Sequence, residues 1–297
     1  MESEVWNHIS RTHFENDSAR GGLKSEEALS LLDYSKYFSL LGVPMPQSHS
    51  EILHALGEDD IVRRQEDGQY SITNLGALLL ANDLGAFPTV SRKALRIIQY
   101  EGSRKTQMLR ERQSKSGYAV DYEAAIEFIM TLVPSSEPIV SGLRRKEVQY
   151  PEIAIREILA NALIHQDLSI TGSGPMVELF DNRIDFSNPG VSLVETLRLV
   201  DNPPKSRNQQ LAALMRRFHI CEEAGSGWDK IISACEEFAL PAPSVSAYSN
   251  NEGSIRVSLF HYTSFSMLGP RERTMVCYWH SCMCYLDSHA MSNLSLR

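Results

Sequence analysis

Two polar residues four positions apart, Glu157 and Asn161, lie in a segment whose apolar residues follow helical spacing. Side chains four apart on a helix project side by side, and His165 continues the same row. An amide oxygen can ligate Mg²⁺, and a carboxylate can orient or deprotonate the water that attacks a phosphate. A pair of this kind more often forms a solvated helix face, so its interpretation depends on the rest of the chain.

A glycine-containing turn, Gly225-Ser226-Gly227, precedes a second segment with helical spacing, which carries Ile231 and Ile232. Glycines before a helix N-terminus allow backbone N–H groups and the helix dipole to face a phosphate. Alone, this turn is typical of an ordinary helix entry. Because it follows the Glu157 segment in the chain, it favours a phosphate site.

The elements that must position these residues can be predicted from local patterns. The spacing predicts a helix over Pro151–His165, with Pro151 suited to the first turn because it lacks an N–H group. Two strands, Met176–Phe180 and Arg183–Ser187, are joined by a tight turn, and Asn188-Pro189-Gly190 ends the hairpin. The predicted order is therefore the helix that carries Glu157, a loop with Gly172 and Gly174, and a hairpin.

The first 88 residues have the pattern of a winged helix. Residues 1–24 are polar, and Gly21-Gly22 predicts a loop. Helices then follow from Ser25, through Tyr37–Leu41 and over His49–Leu56, and a two-stranded segment follows over 60–72 with a further helix through Leu80. A recognition helix could contact DNA. The segment 48–56 has no Lys or Arg, however, and this favours packing or dimerisation.

Residues 89–150 form a basic connecting segment with a predicted strand at Ala94–Tyr100, a helix at Asp121–Leu132 and a strand at Leu143–Val148. Its basic residues could follow a phosphodiester backbone or stabilise a nucleotide, or they could form a solvated loop surface. These residues are Arg92, Lys93, Arg96, Arg104, Lys105, Arg110, Arg112 and Lys115. Further on, the patterns predict a helix over Asn208–Phe218, a sheet-closing strand at Ile255–Leu259 and a helix over Arg271–Tyr285.

Composition and charge limit the classes of protein to which this chain can belong. The chain has 297 residues, 42% of them hydrophobic, and a net charge of −8. Residues 1–88 hold 6 Lys or Arg against 14 Asp or Glu, whereas residues 89–150 hold 11 against 7. Nucleic-acid contact is therefore most plausible in the middle of the chain. The sequence predicts no signal peptide or membrane span, and its five unpatterned cysteines favour a reduced, cytoplasmic protein.

The order of four segments resembles the ATP-binding domain of RecG-related proteins, which are classed as transcriptional regulators. These segments are REILANALIHQDLS, DNRIDFSNPG, SRNQQLAALMRR and EEAGSGWDKI. The resemblance implies an α+β chain. A winged-helix-like module (1–88) and the basic segment (89–150) would precede a two-layer α/β sandwich of the Bergerat type found in GHKL ATPases (151–260). The start of a C-terminal winged helix (261–297) would follow. Members usually carry a Schlafen/Alba-type N-terminal domain, so the chain is expected to be part of a longer protein.

The resemblance also implies roles for individual residues. Glu157 and Asn161 match the family's N-box motif, with Glu157 as the base and Asn161 as the magnesium ligand. Residues 188–190 fall where the family has its first glycine box, and Gly225 and Gly227 match the second, which faces the phosphates. In gyrase-like relatives, an Asp in the first glycine box binds the adenine amino group. Here Asn188 lies near the position of that Asp, and Asp185 lies three residues earlier on the strand. The implied nucleotide-binding residues are Asn161, His165, Asp185, Asn188, Gly190, Arg207, Asn208, Gly225, Ser226 and Gly227, with Arg207 and Asn208 in the lid.

Three functional hypotheses follow. The first is a regulator that binds Mg-ATP and hydrolyses it slowly, with lid closure limiting the rate. The second is a non-catalytic DNA-binding or oligomerising regulator that has lost nucleotide affinity, which the Asn188 substitution favours; a homodimer is one form that it could take. The third is a helicase motor. That motor needs a G-x-x-x-x-G-K-[ST] loop, and the sequence contains none, so the chain is not a motor on its own.

Overall fold

A computed structural model describes backbone and side chains over residues 14–133, 150–193, 206–221, 227–238, 240–248, 253–260 and 269–282, except for the side chains of residues 272 and 280. The backbone alone is described at 135–136, 139–140, 143–144, 147–148 and 283–287. The elements below refer to these residues.

The N-terminal part of the chain, residues 14–88, contains four helices and a three-stranded sheet. The helices are α1 Ser25–Ser30, α2 Tyr34–Leu41, α3 His49–Glu58 and α4 Asn74–Leu80. The strands are β1 Ser18–Leu23, β2 Val62–Arg64 and β3 Tyr70–Thr73, in the order β1-β3-β2. The side chains of Asp33, Ser48 and Thr73 cap α2, α3 and α4 by accepting a hydrogen bond from a backbone N–H of the first turn.

Strand β1 corrects the prediction of a loop at Gly21-Gly22. Gly21 and Gly22 lie inside this strand, which pairs antiparallel with β3 from Ser18↔Thr73 to Leu23↔Tyr70. The pairing register shifts between these residues, which is typical of a strand that contains glycine. Pairing with a distant strand therefore overrides the local turn signal. The predicted helices and the β2–β3 pair are confirmed as elements.

The middle of the chain contributes β4 Arg96–Tyr100, β5 Met108–Gln113, α5 Tyr118–Leu132 and α6 Glu152–Ile164. Four short strands follow α5: β6 Ser135–Ser136, β7 Ile139–Val140, β8 Leu143–Arg144 and β9 Glu147–Val148. The predicted strand Leu143–Val148 is therefore divided in two. Its first part, β8, pairs with β7, and its second part, β9, pairs with β6.

The last part contains β10 Met176–Leu179, β11 Arg183–Pro189, α7 Gln209–Arg217, α8 Gly227–Glu237, β12 Ser244–Tyr248, β13 Ser254–Phe260 and α9 Pro270–Asp287. Strand β12 has no counterpart among the predictions. The indole rings of Trp228 and Trp279 lie 4.7 Å apart, so α9 packs beside α8. In the described residues, no helix is both long enough and apolar enough to cross a membrane.

A six-stranded sheet in the order β12-β13-β11-β10-β4-β5 forms the centre of the protein. Only β10 and β4 pair in parallel, and all other neighbours are antiparallel. Since β4 and β5 come from the predicted connecting segment, the predicted boundary at residue 150 cuts through this sheet. The edge strand β5 was not predicted, because most of its side chains are exposed and carry no buried pattern.

The two faces of this sheet differ in chemistry. On the helix-side face, the aligned side chains of Ile97, Val177, Phe186, Val257 and Val245 are all apolar and buried. They share one hydrophobic core with the apolar residues of α6, including Ile155, Ile158 and Leu159. Because side chains alternate along a strand, the neighbouring residues Glu178, Asp185 and Ser258 lie on the opposite face.

Candidate functional site

Helix α6 carries the predicted pair Glu157 and Asn161 at the border of the hydrophobic core. Ile155, Ile158 and Leu159 are fully buried, and these contacts fix the rotation of the helix. Glu157 is buried, whereas Asn161 is partly exposed. The helix therefore holds its polar row at a border between core and solvent, where a ligand can reach it.

Gly227, the first residue of α8, lies directly against this row. A Cβ atom at Gly227 would stand 3.2 Å from Glu157 Oε2 and 3.9 Å from Asn161 Nδ2. Glycine leaves this space open and lets the backbone come close to both side chains. The structure thus brings together two predicted motifs that are far apart in the sequence.

The chemistry of this pair suits magnesium. In the described residues, the Asn161 side chain has no hydrogen-bond partner, so its amide oxygen is available to a ligand. Magnesium in nucleotide sites keeps several waters and needs only one or two protein oxygens besides the phosphates. Glu157 provides a carboxylate one helical turn away. No group of three His, Cys, Asp or Glu residues that could hold a metal occurs within the described ranges.

His165 and Arg207 meet at the C-terminal end of α6. Arg207 Nη1 donates a hydrogen bond to the His165 carbonyl at 3.2 Å, and Nη2 donates one to the Val191 carbonyl. Burial, followed by the nearby guanidinium, lowers the pKa of His165 to about 4. The imidazole is therefore neutral at physiological pH. Arg207 links the end of the helix to the segment just after the first predicted glycine box.

Asn208 is buried and binds the same helix end. Its Nδ2 donates to the carbonyls of Ile164 and Gln166, both at 2.8 Å. The last carbonyls of a helix have no partner within the helix, so the Asn208 amide caps them. This predicted lid residue therefore directs its amide donors to the backbone of the helix end.

The predicted first glycine box packs against the residue just after this helix end. Gly190 has a φ of +109°, which favours glycine, and a Cβ there would stand 2.7 Å from Asp167 Cβ. The Asp167 N–H donates to the Pro189 carbonyl at 2.8 Å. Asn188 alternates with Phe186, so it lies on the helix-side face, where it is buried.

Asp185 is not brought to this site. Its carboxylate lies on the opposite face of the sheet and accepts hydrogen bonds from Arg183 Nε at 3.0 Å and Ser258 Oγ at 2.7 Å. The alternation of side chains along β11 separates it from Asn188, three residues later. The predicted residues Gly225 and Ser226 lie outside the described residues.

Four of the eight residues in the predicted basic cluster are engaged within the protein, three of them in ion pairs. Arg96 pairs with Glu111, Lys105 with Glu178 and Arg112 with Asp121, each at 2.5 Å. Lys93 is buried, and its Nζ donates to the carbonyls of Ile170 and Ser173. The remaining members form no ion pair within the described part of the chain: Arg92, Arg104, Arg110 and Lys115. The cluster is therefore a weaker candidate for a phosphodiester track than its sequence indicates.

Sequence reasoning missed a buried hydrogen-bond network beneath the site. Gln166 Nε2 donates to the Tyr118 hydroxyl at 2.9 Å, and that hydroxyl donates to the Lys93 carbonyl at 2.7 Å. The network joins the end of α6 to α5 and to the loop before β4. Only the adjacency of Gln166 to the predicted helix end could have indicated it.

Comparisons with known proteins agree with part of this picture. Residues 172–259 match the family model described as "Putative ATP-dependent DNA helicase recG C-terminal". The segment resembles a RecG C-terminal ATPase domain. It covers β10 to β13 with α7 and α8, and it begins after Glu157 and Asn161 in the chain. The similarity supports the RecG-related ATPase relationship indicated by the motifs, and such a domain implies binding of a nucleotide with magnesium.

A solved structure shows a similar fold over a wider range. It is the crystal structure of the DIP2311 protein from Corynebacterium diphtheriae, with 15% sequence identity and a TM-score of 0.62. The similarity covers 96% of this chain and 57% of that one, so this chain spans little more than half of that protein. Comparison with curated proteins gives no match.

Proposed function

We propose that this protein binds Mg-ATP between α6, the N-terminus of α8 and the helix-side face of the six-stranded sheet, and that it acts as an ATP-binding regulator. The observation that carries the proposal is the close approach of Gly227 to Glu157 and Asn161. It brings together a carboxylate, an amide side chain and a helix N-terminus, which can together bind a magnesium-bound phosphate.

Each group has a distinct role in this proposal. Asn161 contributes its amide oxygen to magnesium, which would neutralise charge on the phosphates when bound. Glu157 orients the attacking water and accepts its proton if hydrolysis takes place. The backbone at Gly227 faces the phosphates at the positive end of α8, and the resemblance implies phosphate contacts for Gly225 and Ser226 as well. His165, being neutral, adds no positive charge that would compete with magnesium.

We assign the adenine contact to Asn188. It lies on the helix-side face, and its amide oxygen can accept a hydrogen bond from the adenine amino group. An amide also carries N–H donors, so it discriminates less strictly than a carboxylate between adenine and guanine. Titration with GTP therefore belongs in the first experiment.

The proposal includes the fold type of each part of the chain. The six-stranded sheet, with α6 packed on its apolar face, supports a two-layer sandwich of the Bergerat type for the nucleotide-binding part. In the N-terminal part, α2, α3 and the β2–β3 pair support a winged-helix-like module. Helix α9 would open a C-terminal winged helix. The regulatory role in transcription rests on the resemblance to RecG-related proteins.

A second candidate is a non-catalytic regulator that keeps this fold without nucleotide affinity and acts by binding DNA or by self-association. The engagement of Arg207 and Asn208 with backbone carbonyls favours it, because both are predicted to bind the nucleotide. Against a DNA role, three of the eight basic residues, Arg96, Lys105 and Arg112, are paired with carboxylates of the protein itself. Calorimetry of nucleotide binding separates the two candidates.

The test is calorimetric titration of the full chain with Mg-ATP and with Mg-GTP. We expect micromolar affinity for Mg-ATP in the unmodified chain and loss of that affinity in Asn161→Ala, because the magnesium ligand is removed. Asn182→Ala, an exposed change in the turn between β10 and β11, is the matched control and should bind normally.

Glu157→Gln separates binding from hydrolysis. It keeps the size of the side chain but removes its ability to accept a proton, so Mg-ATP should still bind while phosphate release stops. If millimolar Mg-ATP produces neither heat nor a shift in the melting temperature of the unmodified chain, the second candidate replaces the first.

A further inference from the structure

Helix α7 connects the candidate nucleotide site to the N-terminal module, defined here as residues 14–88. The helix begins at Gln209, immediately after Arg207 and Asn208, which bind the end of α6. At both of its ends, α7 also contacts residues of the N-terminal module. No sequence pattern indicates these contacts, because the partners lie more than 150 residues apart.

The N-terminus of α7 is capped by Glu15. The Glu15 side chain accepts hydrogen bonds from the backbone N–H of Leu211 at 2.6 Å and of Gln210 at 3.4 Å. Burial raises the pKa of this carboxyl group, whereas the hydrogen bonds from the helix act to lower it. A negative group at this position is stabilised by the free N–H groups and by the helix dipole.

Glu15 is itself held firmly by the N-terminal module. It lies in a short 3₁₀ turn over Phe14–Asn16. Asn74 Nδ2 donates to the Phe14 carbonyl at 2.9 Å, and Arg63 Nη1 donates to the Asn16 carbonyl at 2.8 Å. The capping carboxylate therefore moves with α4 and β2 of the module.

The other end of α7 contacts the same module. Arg217 pairs with Asp59 at 2.5 Å, and the Tyr37 hydroxyl donates to the same carboxylate at 2.6 Å. The rings of Tyr37 and Phe218 meet edge to face with centroids 5.8 Å apart. These contacts make α7 a rigid link between the module and the end of α6.

From these contacts we propose that Glu15 is a positioning residue for the nucleotide site and couples it to the N-terminal module. By capping α7, Glu15 fixes Asn208 and Arg207, which in turn fix the end of the helix that carries Asn161. The effect on ATP rests on the function proposed above. Coupling is reciprocal, so a partner that displaces the module would change ATP affinity, and ATP would change affinity for that partner.

The first arm of the test measures Mg-ATP affinity of the full chain by calorimetry. We expect Glu15→Ala to bind about fivefold to tenfold more weakly, because the N-terminus of α7 loses its cap. Glu15→Gln should lie in between, since its carbonyl can still accept one hydrogen bond. Glu26→Ala removes the same charge from an exposed position in α1 and should bind normally. A folded Glu15→Ala with unchanged affinity would overturn the effect on ATP.

The second arm uses hydrogen exchange without nucleotide and decides the coupling independently of ATP binding. In Glu15→Ala we expect faster amide exchange over residues 206–211 and also over residues 161–168, which the substituted residue does not touch. Acceleration confined to residues 209–212 would overturn the coupling. If the unmodified chain binds no Mg-ATP, the proposed function fails, and the exchange result still decides whether Glu15 positions the end of α6.

A second variant tests the same coupling if Glu15→Ala does not fold. Arg217→Ala removes the other anchor of α7 at a half-exposed side chain and leaves the core intact. We expect a smaller, about twofold, loss of Mg-ATP affinity and faster exchange over residues 161–168, because one of two anchors remains. No change in exchange over residues 161–168 would contradict the coupling.

Discussion

Polar side chains on the opposite face of the central sheet and on helix α6 are used in different ways. On the opposite face, Glu178 and Asp185 are buried carboxylates, and each is paired: Glu178 with Lys105 at 2.5 Å and Asp185 with Arg183 at 3.0 Å. On the helix side, the half-buried Asn161 amide has no protein partner within the described residues.

This difference separates the polar residues that stabilise the fold from those that are available to bind a ligand. A buried charge must be paired because leaving it alone in the interior is costly, and its partners then occupy its lone pairs. A polar group at a border with solvent can remain unengaged until a ligand arrives. The opposite face is therefore assigned to stability and the helix-side site to binding.

The largest effect that this comparison predicts is on stability. Asp185→Ala should lower the free energy of unfolding by about 3 kcal/mol, because it leaves the Arg183 guanidinium partly buried without its partner. Urea unfolding measures the loss, and calorimetry on the folded protein should show normal Mg-ATP affinity. Asp181→Ala, in the exposed turn, is the control. If Asp185→Ala abolished ATP binding without changing stability, the assignment of Asp185 to the stability of the fold would be wrong.

The next effect depends on pH and concerns His165 on the helix side. Its pKa in the folded protein is about 4, lower than the usual 6.5 of an unfolded chain. The unfolded state therefore binds more protons between these values, and stability falls as the pH drops from 6.5 towards 4. The loss from pH 7 to pH 5 is at most about 2 kcal/mol.

Melting temperatures at pH 7 and pH 5 measure this dependence. We expect His165→Gln to show a smaller decrease than the unmodified chain. His54→Gln is the control, because His54 is exposed on α3 and its removal should leave the decrease unchanged. Equal pH dependence in all three proteins would show that His165 is not held neutral in the folded state.

A smaller expected effect, on Mg-ATP affinity, tests the position of the proposed phosphate site. Gly227→Ala adds a methyl group 3.2 Å from Glu157 Oε2, so the carboxylate must shift. We expect Mg-ATP affinity to fall about tenfold, which corresponds to about 1.4 kcal/mol, with little change in melting temperature. Gly57→Ala, in α3 and away from the site, is the matched control. Normal ATP binding by Gly227→Ala would argue against the phosphate site.

The smallest expected effect concerns Ser258 on the opposite face of the sheet. Ser258→Ala removes one hydrogen bond to Asp185 but leaves Arg183 in place. The expected loss is about 1 kcal/mol of unfolding free energy, with no change in nucleotide affinity. Denaturant unfolding and calorimetry check both parts. Reduced ATP affinity here would mean that the two faces are not independent.

Local patterns in the sequence determined the elements that carry the site. The spacing of apolar residues predicted α6 almost to its ends, and turn residues predicted the β10–β11 hairpin and the start of α8. These elements depend on contacts between near neighbours in the chain. Strands β1, β5 and β12 were not predicted. The conformation of β1 depends on pairing with β3, far along the chain, whereas β5 and β12 are the edge strands of the six-stranded sheet and their own patterns are weak.

The sequence alone also proposed Glu157, Asn161 and Gly227 as one site, through their order in the chain. Tertiary structure decided which other candidates join them. Asp185 and Asn188 were both open for the adenine contact, and the alternation of β11 on a sheet with one apolar face placed only Asn188 on the helix side. The Glu15 contact could not be predicted, because it joins residues 196 positions apart and only packing of the N-terminal module on α7 brings them together.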